Sequence, residues 1–308
     1  MEFIKWILSL LSPKAENVQQ PDPPPPAPKP IQPPPKAEDE EKEDVDFNEW
    51  SKKAAFISST YEGKGGDYAN VVGNFDGAFL TCGLLGLTWK YGNQVEIIDK
   101  YLTKYGPNKL LKLMPKTGQK YLEAVNSGEI RGASIVASWS LGTSRVQEPY
   151  KSELATFWSS PEMVKLQDET YANMMGVFAK KKCLETQEYF SLSKPEFAHY
   201  AYWWDQAVLN GQGKTVSFEA AISVDISEIM EWMASLGGYN QGSNKKNYQL
   251  WLKEIKNANK VKIDLFKMAY LRALRSRSEF QGTTMMRRGT LALGIGYVND
   301  TLRRYEWA

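Results

Sequence analysis

The sequence predicts a mainly α-helical α+β domain with one small β region near its start. Three observations lead there. Several stretches repeat apolar residues at helical period. The segment from Val71 to Thr88 is instead apolar and punctuated by glycine, the pattern of short strands and turns. With 308 residues, 42% of them apolar and 24% charged, the chain has ample material for a globular core.

The first twelve residues, MEFIKWILSLLS, are apolar around a single lysine, Lys5. A membrane-spanning helix needs about 20 apolar residues, so this segment is too short to cross a bilayer. No small-residue cleavage site follows, which makes it a poor export signal. Two readings stand side by side: a helix lying on a membrane surface or a partner, and a terminus packed on its own domain. Next, Pro13 to Pro35 holds eleven of the 16 prolines. Such a tract forms neither helix nor sheet ladder and favours polyproline II. At about 3.1 Å per residue it reads as a semi-rigid spacer reaching roughly 70 Å, with an SH3-type ligand as the second reading. The acidic run AEDEEKEDVD carries no packing residues and completes a disordered linker over residues 13–46. The folded domain is expected over residues 47–308.

Within it, Trp50, Ala54, Ile57 and Tyr61 follow 4-3-4 spacing and form one face of a helix ending near Tyr61. After the β region, helical period returns over Gln94–Tyr105, Leu110–Asn126, Glu162–Ala179, Glu196–Asn210, Ile222–Leu236 and Leu250–Ser276. No internal repeat is visible.

The formal net charge of +2 averages two unlike segments. Residues 1–46 hold 5 basic and 10 acidic side chains, a net of −5, and the other 262 hold 33 and 26, a net of +7. The near-balance of the whole argues against a strongly basic nucleic-acid binder. A single histidine, His199, excludes His-rich metal sites and most His-based triads. Cys82 and Cys183 are far apart and allow at most one disulfide, so neither a disulfide framework nor a structural zinc is expected. Asn210-Gly211-Gln212-Gly213-Lys214-Thr215 ends like a phosphate-binding loop, but Val208 stands where its first glycine belongs. Ser138 and Ser140 in ASWSLG lack the first glycine of a nucleophile elbow. His199, in FAHYAYWW, reads as a packed helix residue, and Lys180-Lys181-Lys182 reads as a solvated helix end.

With histidine removed, acid–base work falls to carboxylates. Glu62 follows an apolar helix face, and a carboxyl held against apolar neighbours has its charged form disfavoured, as a general acid requires. Asp76 opens a glycine-flanked turn, a more solvated setting. One carboxyl kept protonated and one kept charged is the division of labour of glycoside hydrolysis. Standing alone, the pair is outweighed by the reading of two surface carboxylates.

Longer patterns add to it. SSTYE followed by NFDGAFLTCGLLGLTWKYGN resembles the active-site segment of the glycoside hydrolase family 46 chitosanases, a helix-end glutamate and then D-G-x-x-x-T-x-G-x-x-G. Glu62, Asp76, Gly77, Thr81, Gly83 and Gly86 occupy those places. YWWDQAVLNGQG is similar to a second family segment through Asp205, Gly211 and Gly213; TTMMRRGTLALG is similar to a third through Arg287; and LQDETY resembles a Q-D-E segment. The matches run in the same order across most of the domain. The resemblance implies a lysozyme-like fold, two mainly helical lobes around a central substrate cleft. It implies Glu62 as general acid and Asp76 as general base, with Thr81 holding the attacking water. Asp205 and Arg287 would be a buried ion network orienting Glu62. It also implies inversion at the anomeric carbon, endo-acting cleavage of β-1,4 bonds in an amino-sugar polysaccharide, and no metal or organic cofactor.

Two positions depart from the family. Ala78 stands where an arginine is usual, and Asn93 stands where a substrate-binding aspartate meets a cationic amine. Both weaken the expectation of fully deacetylated chitosan, and a domain at +7 points the same way. Peptidoglycan glycan is therefore the rival substrate, which would suit a lysis or wall-remodelling enzyme in a membrane-associated, periplasmic or extracellular setting. The reading of a different class is a non-catalytic sugar-binding or structural protein on the same fold. The expected partners are a polysaccharide and, through residues 1–12, a membrane surface, with no nucleic acid. Ten tryptophans and 16 tyrosines suit a sugar cleft, although for any one of them a place in the core is the better expectation.

Overall fold

The computed structural model describes residues 45–61, 67–74, 76–142, 144–213, 215–237 and 240–305. Residues 1–12, the linker through residue 44, and Glu62 lie outside the described residues. Helix α1 (Phe47–Ser59) starts where the Asp46 carboxylate accepts from the backbone N–H groups of Asn48 and Glu49, at 2.9 and 3.1 Å. That N-cap satisfies two of the helix's otherwise unpaired donors. The face foreseen from the 4-3-4 spacing points inward: Ala54 and Tyr61 are buried, Trp50 and Ile57 half-buried.

The β region is a three-stranded antiparallel sheet, β1 (Val71–Val72), β2 (Thr81–Cys82) and β3 (Leu87–Thr88), in the order β1-β2-β3. Val72 and Thr88 both lie opposite Thr81. The β2–β3 turn needs glycine at position 83 for two reasons. Its φ is +83°, and a Cβ there would come within 2.4 Å of Gln167 Oε1. Gln167 must be that close because Oε1 accepts from Leu84 N–H at 3.0 Å. Helix α2 (Asn93–Tyr105) is tied to the same sheet by Gln94, whose amide donates to the carbonyls of Leu80 and Leu87 at 2.8 Å each.

The single helix expected over Leu110–Asn126 is two, α3 (Pro107–Leu113) and α4 (Gly118–Asn126). Pro115 breaks it: proline has no N–H to donate and forces the residue before it out of the α region, and Met114 adopts φ −128°, ψ 66°. Beyond lie α5 (Glu129–Ala137), α6 (Tyr150–Trp158) and α7 (Pro161–Tyr171), the last joined through a π-helical turn, Ala172–Gly176, to α8 (Val177–Tyr189). The chain then runs through α9 (Phe197–Asn210), α10 (Phe218–Ile222), α11 (Ile226–Ser235), α12 (Gln241–Glu254), α13 (Lys260–Leu274) and α14 (Ser278–Leu293). Further splits of the expected helices fall at N-caps, where Asp225 accepts from Ser227 N–H at 2.7 Å and Asn259 from Lys262 N–H at 2.9 Å.

Two corrections concern the β content and the lysines. The β structure is not confined to the start of the domain, because β4 (Ile295–Val298) and β5 (Thr301–Arg304) form a second, two-stranded sheet. Its turn residues, Asn299 and Asp300, both have positive φ, the requirement of a tight two-residue hairpin. Lys180-Lys181-Lys182 is not a helix end but lies inside α8. There the Lys180 ammonium stands 4.8 Å from the Phe47 ring centroid and that of Lys182 stands 5.8 Å from Trp203.

The fold is thus α+β and mainly helical. At its centre α9 packs against α1, α8 and α14, while α14 also packs against α13 and β4. The approach to α14 is close. A Cβ on Gly289 would fall 2.5 Å from the buried Trp251 ring, so only glycine fits. Trp89, Trp139, Trp158, Trp203, Trp204 and Trp251 are all core residues, not sugar-facing ones. Cys82 and Cys183 are free, buried thiols, and burial pushes Cys183 up to about 12. No helix among the described residues is long and apolar enough to cross a membrane.

Candidate functional site

A layer of buried polar groups joins α9 to α14. Asp205 has no exposed surface, and its Oδ1 accepts from Arg287 Nη2 at 2.7 Å. One residue along each helix the contact repeats, Arg288 Nη1 donating to Gln206 Oε1 at 2.5 Å. Two consecutive polar residues on α9 therefore meet two consecutive arginines on α14, all buried. Charge-assisted bonds of this kind are short and strong, and desolvation makes each partner indispensable to the other.

The layer continues to the end of α1. The Arg287 guanidinium lies 5.1 Å from the Tyr61 ring centroid. The Tyr61 hydroxyl accepts from the Tyr305 hydroxyl at 2.8 Å, and the Tyr61 carbonyl accepts from the Asn299 side chain at 3.4 Å. Burial pushes the Tyr61 phenol well above its ordinary value, with Tyr305 and Asp205 adding to the effect. Tyr305 is also raised, mainly by burial. Both phenols therefore stay neutral and act as fixed dipoles. Tyr61 is the residue immediately before Glu62 in the chain.

The second group of expected residues sits on the sheet. Asp76 is exposed in the β1–β2 connection, where its Oδ1 accepts from Ala78 N–H at 3.0 Å and so forms an Asx turn. Gly77 follows at φ +80°. The turn is held from beneath, because Asn74 Oδ1 accepts from Phe79 N–H at 3.0 Å while Asn74 N–H donates to Ser140 Oγ at 2.8 Å. Thr81, half-buried, opens β2 on the same connection. Asn93 is half-buried and opens α2 beside the pinned Gln94. Ala78, in the place of the family's arginine, is a buried packing residue.

The structure therefore brings Asp205 and Arg287 together on facing helices and sets Asp76 and Thr81 on one sheet connection. Among the described residues no cluster of His, Cys, Asp and Glu could hold a metal ion. His199 is buried on α9, with Nε2 3.5 Å from the Glu196 carboxylate, and burial lowers its pKa. The Q-D-E segment supplies supporting residues whose roles only the structure shows. Gln167, inside LQDETY, holds the β2–β3 turn and also donates to the Trp158 carbonyl at 2.8 Å. Its neighbour Asp168 accepts from the Tyr68 hydroxyl at 2.6 Å, and burial raises its pKa.

Beside the sheet opens a concavity of about 550 Å³ whose walls include Trp89, Lys90, Tyr91, Val95 and Asp99. Tyr91 is 71% exposed there, unlike the buried tryptophans.

No protein-family model and no curated protein matches the sequence. Among solved structures the chain is similar to native chitosanase from Bacillus subtilis, at 16% identity and a TM-score of 0.43, over 84% of this chain and 99% of that one. At that level of likeness the functional reading rests on the chain's own residues.

Proposed function

We propose that this chain is an endo-acting, inverting glycoside hydrolase that cleaves β-1,4 bonds of an amino-sugar polysaccharide. The observation that carries the reading is the buried Asp205–Arg287 pair set against Tyr61, the residue that precedes Glu62. It joins three of the sequence segments similar to family 46, and it gives a physical reason to keep two buried charges at that point. A desolvated ion pair is a poor way to gain stability and a good way to hold neighbouring groups in one arrangement.

In this mechanism the Glu62 carboxyl gives its proton to the glycosidic oxygen as the C1–O bond breaks. Asp76 takes a proton from a water that attacks C1 from the opposite face, with the Thr81 hydroxyl orienting that water. The new hemiacetal carries the inverted configuration. Such chemistry needs the two carboxyls about 6.5–9.5 Å apart, room enough for the water. Asp76 suits the base role in being exposed and, among the described residues, bonded through one backbone donor at Oδ1.

Reducing-end release from chitosans of graded acetylation and from purified peptidoglycan tests the proposal, with Glu62→Gln beside wild type. Wild type should cleave at least one of them and Glu62→Gln should lose about 10²- to 10⁴-fold in rate, the contribution of a positioned acid. The first product anomer, read by NMR, should be the α form. Equal inertness of wild type and variant on every substrate would leave the non-catalytic reading in place.

A further inference from the structure

Lys90 lies two residues beyond β3, and its backbone N–H donates to the Ala78 carbonyl at 3.3 Å, which fixes it across from the Asp76 turn. Its ammonium stands 4.0 Å from the point where a Cβ on Gly77 would lie. No carboxylate neutralises it among the described residues. Of the carboxylates around it, Glu96 is taken by Lys100 at 2.7 Å, and neither Asp76 nor Asp99 forms an ion pair with Lys90. The same ammonium lies 5.9 Å from the ring centroid of the exposed Tyr91, at the wall of the 550 Å³ concavity. Among the described residues, a cation without a carboxylate partner and an exposed aromatic ring therefore share one edge, next to the carboxylate assigned as base.

We infer that Lys90 and Tyr91 form a sugar-binding edge that selects, beside Asp76, an amino-sugar unit without a free ammonium, so that N-acetylated glycan is preferred to its deacetylated, cationic form. This rests on the glycosidase reading and narrows its substrate. Tyr91 offers a flat apolar face of the kind on which a pyranose ring stacks, with its hydroxyl left in water. An ammonium on that sugar would meet the Lys90 ammonium across a few ångströms of solvent, where like charges still repel by about as much as a few-fold change in affinity. An N-acetyl group carries no charge, and its carbonyl can accept a hydrogen bond from Lys90. Taken together, Lys90 and Asp76 leave the turn near neutrality; without Lys90, Asp76 alone would draw a cationic sugar in.

The test compares kcat and KM for wild type, Lys90→Met, Lys90→Glu and Lys90→Arg on chitosan oligomers from fully acetylated to fully deacetylated, at low and high salt. Lys90→Met keeps most of the apolar stem and removes only the charge. It should lower the preference for acetylated over deacetylated oligomers about three- to tenfold, mainly through KM. Lys90→Glu should lower it further, Lys90→Arg should restore it, and salt should shrink all of these differences. Hydrolysis with a preference unchanged in both Lys90→Met and Lys90→Glu would overturn the inference while leaving the hydrolase reading intact. No hydrolysis of any oligomer by wild type would overturn the inference, and inertness on purified peptidoglycan as well would overturn the hydrolase reading.

Discussion

Asp205 is fully buried and grips the Arg287 guanidinium, whereas Asp76 stands in an exposed turn and accepts from one backbone N–H. The same functional group meets opposite physics in the two places. In the helical layer the carboxylate is desolvated and held by the Arg287 guanidinium, so its charge serves to hold geometry. On the sheet the carboxylate keeps its contact with solvent. Burial thus separates the two carboxylates, and each can be perturbed without the other.

The largest effect should come from breaking the buried pair. Asp205→Ala removes one member of a buried, charge-assisted contact and should cost about 3–5 kcal/mol of stability. For a domain of this size that corresponds to a fall in Tm of roughly 6–20 °C. Replacing both partners together, with Asp205→Leu and Arg287→Met, should recover much of that loss, because two buried charges disappear at once. A thermal-unfolding double-mutant cycle reads both quantities. A cost below about 1 kcal/mol for Asp205→Ala would mean that water reaches the layer, and the contrast with Asp76 would collapse.

Asp76→Asn should invert the pattern. The side chain is exposed and its amide oxygen can still accept from Ala78, so unfolding free energy should stay within about 0.5 kcal/mol of wild type. Activity should nevertheless fall about 10²- to 10⁴-fold, since an amide cannot take the proton from water. Denaturant titration and reducing-end release on the same preparation check the two halves. A stability loss comparable with that of Asp205→Ala would show that the turn carries structural weight the hydrogen bonds do not reveal.

How legible each region was follows from the same division. The sheet could be read from Val71 to Thr88 because glycines at 77, 83 and 86, all at positive φ, punctuate short apolar pairs. Helix α14 could not be read as a core helix. Its segment TTMMRRGT looks half-polar, yet from Thr284 to Leu293 every residue is buried. Periodicity treats arginine as a surface residue, and only a partner such as Asp205, 82 positions away, makes its burial tolerable. The β4–β5 hairpin was legible in principle, since Asn299-Asp300, two residue types that tolerate positive φ, follow the apolar Tyr297-Val298, as was Pro115 as a helix breaker. Lys90 and Tyr91 lay beyond the spacing that made the neighbouring motif visible, and exposure is not written in sequence. Glu62 remains an assignment of the sequence.

The smallest effect concerns His199, the one imidazole in the chain, which lies on the same helix as Asp205. The groups facing it are Glu196 on its own helix, Lys262 from α13 and Tyr305 after β5, around a cavity of about 270 Å³. Burial disfavours the imidazolium and lowers the pKa; the Glu196 carboxylate opposes this and does not cancel it. Because the folded pKa lies below the unfolded value of 6.5, the unfolded chain binds more protons between the two. The contribution is therefore fully present above pH 6.5 and is lost as the pH falls toward the folded pKa, with about 1.4 kcal/mol at stake for each unit of depression. His199→Gln should flatten the decline in stability just below pH 6.5, measured by denaturant midpoints against wild type. The single imidazole signal in the NMR spectrum should titrate at a lower pH in the folded protein than in urea. A folded midpoint at or above the unfolded one would mean that Glu196 wins over burial, and that desolvation along α9 falls off within the two turns separating His199 from Asp205.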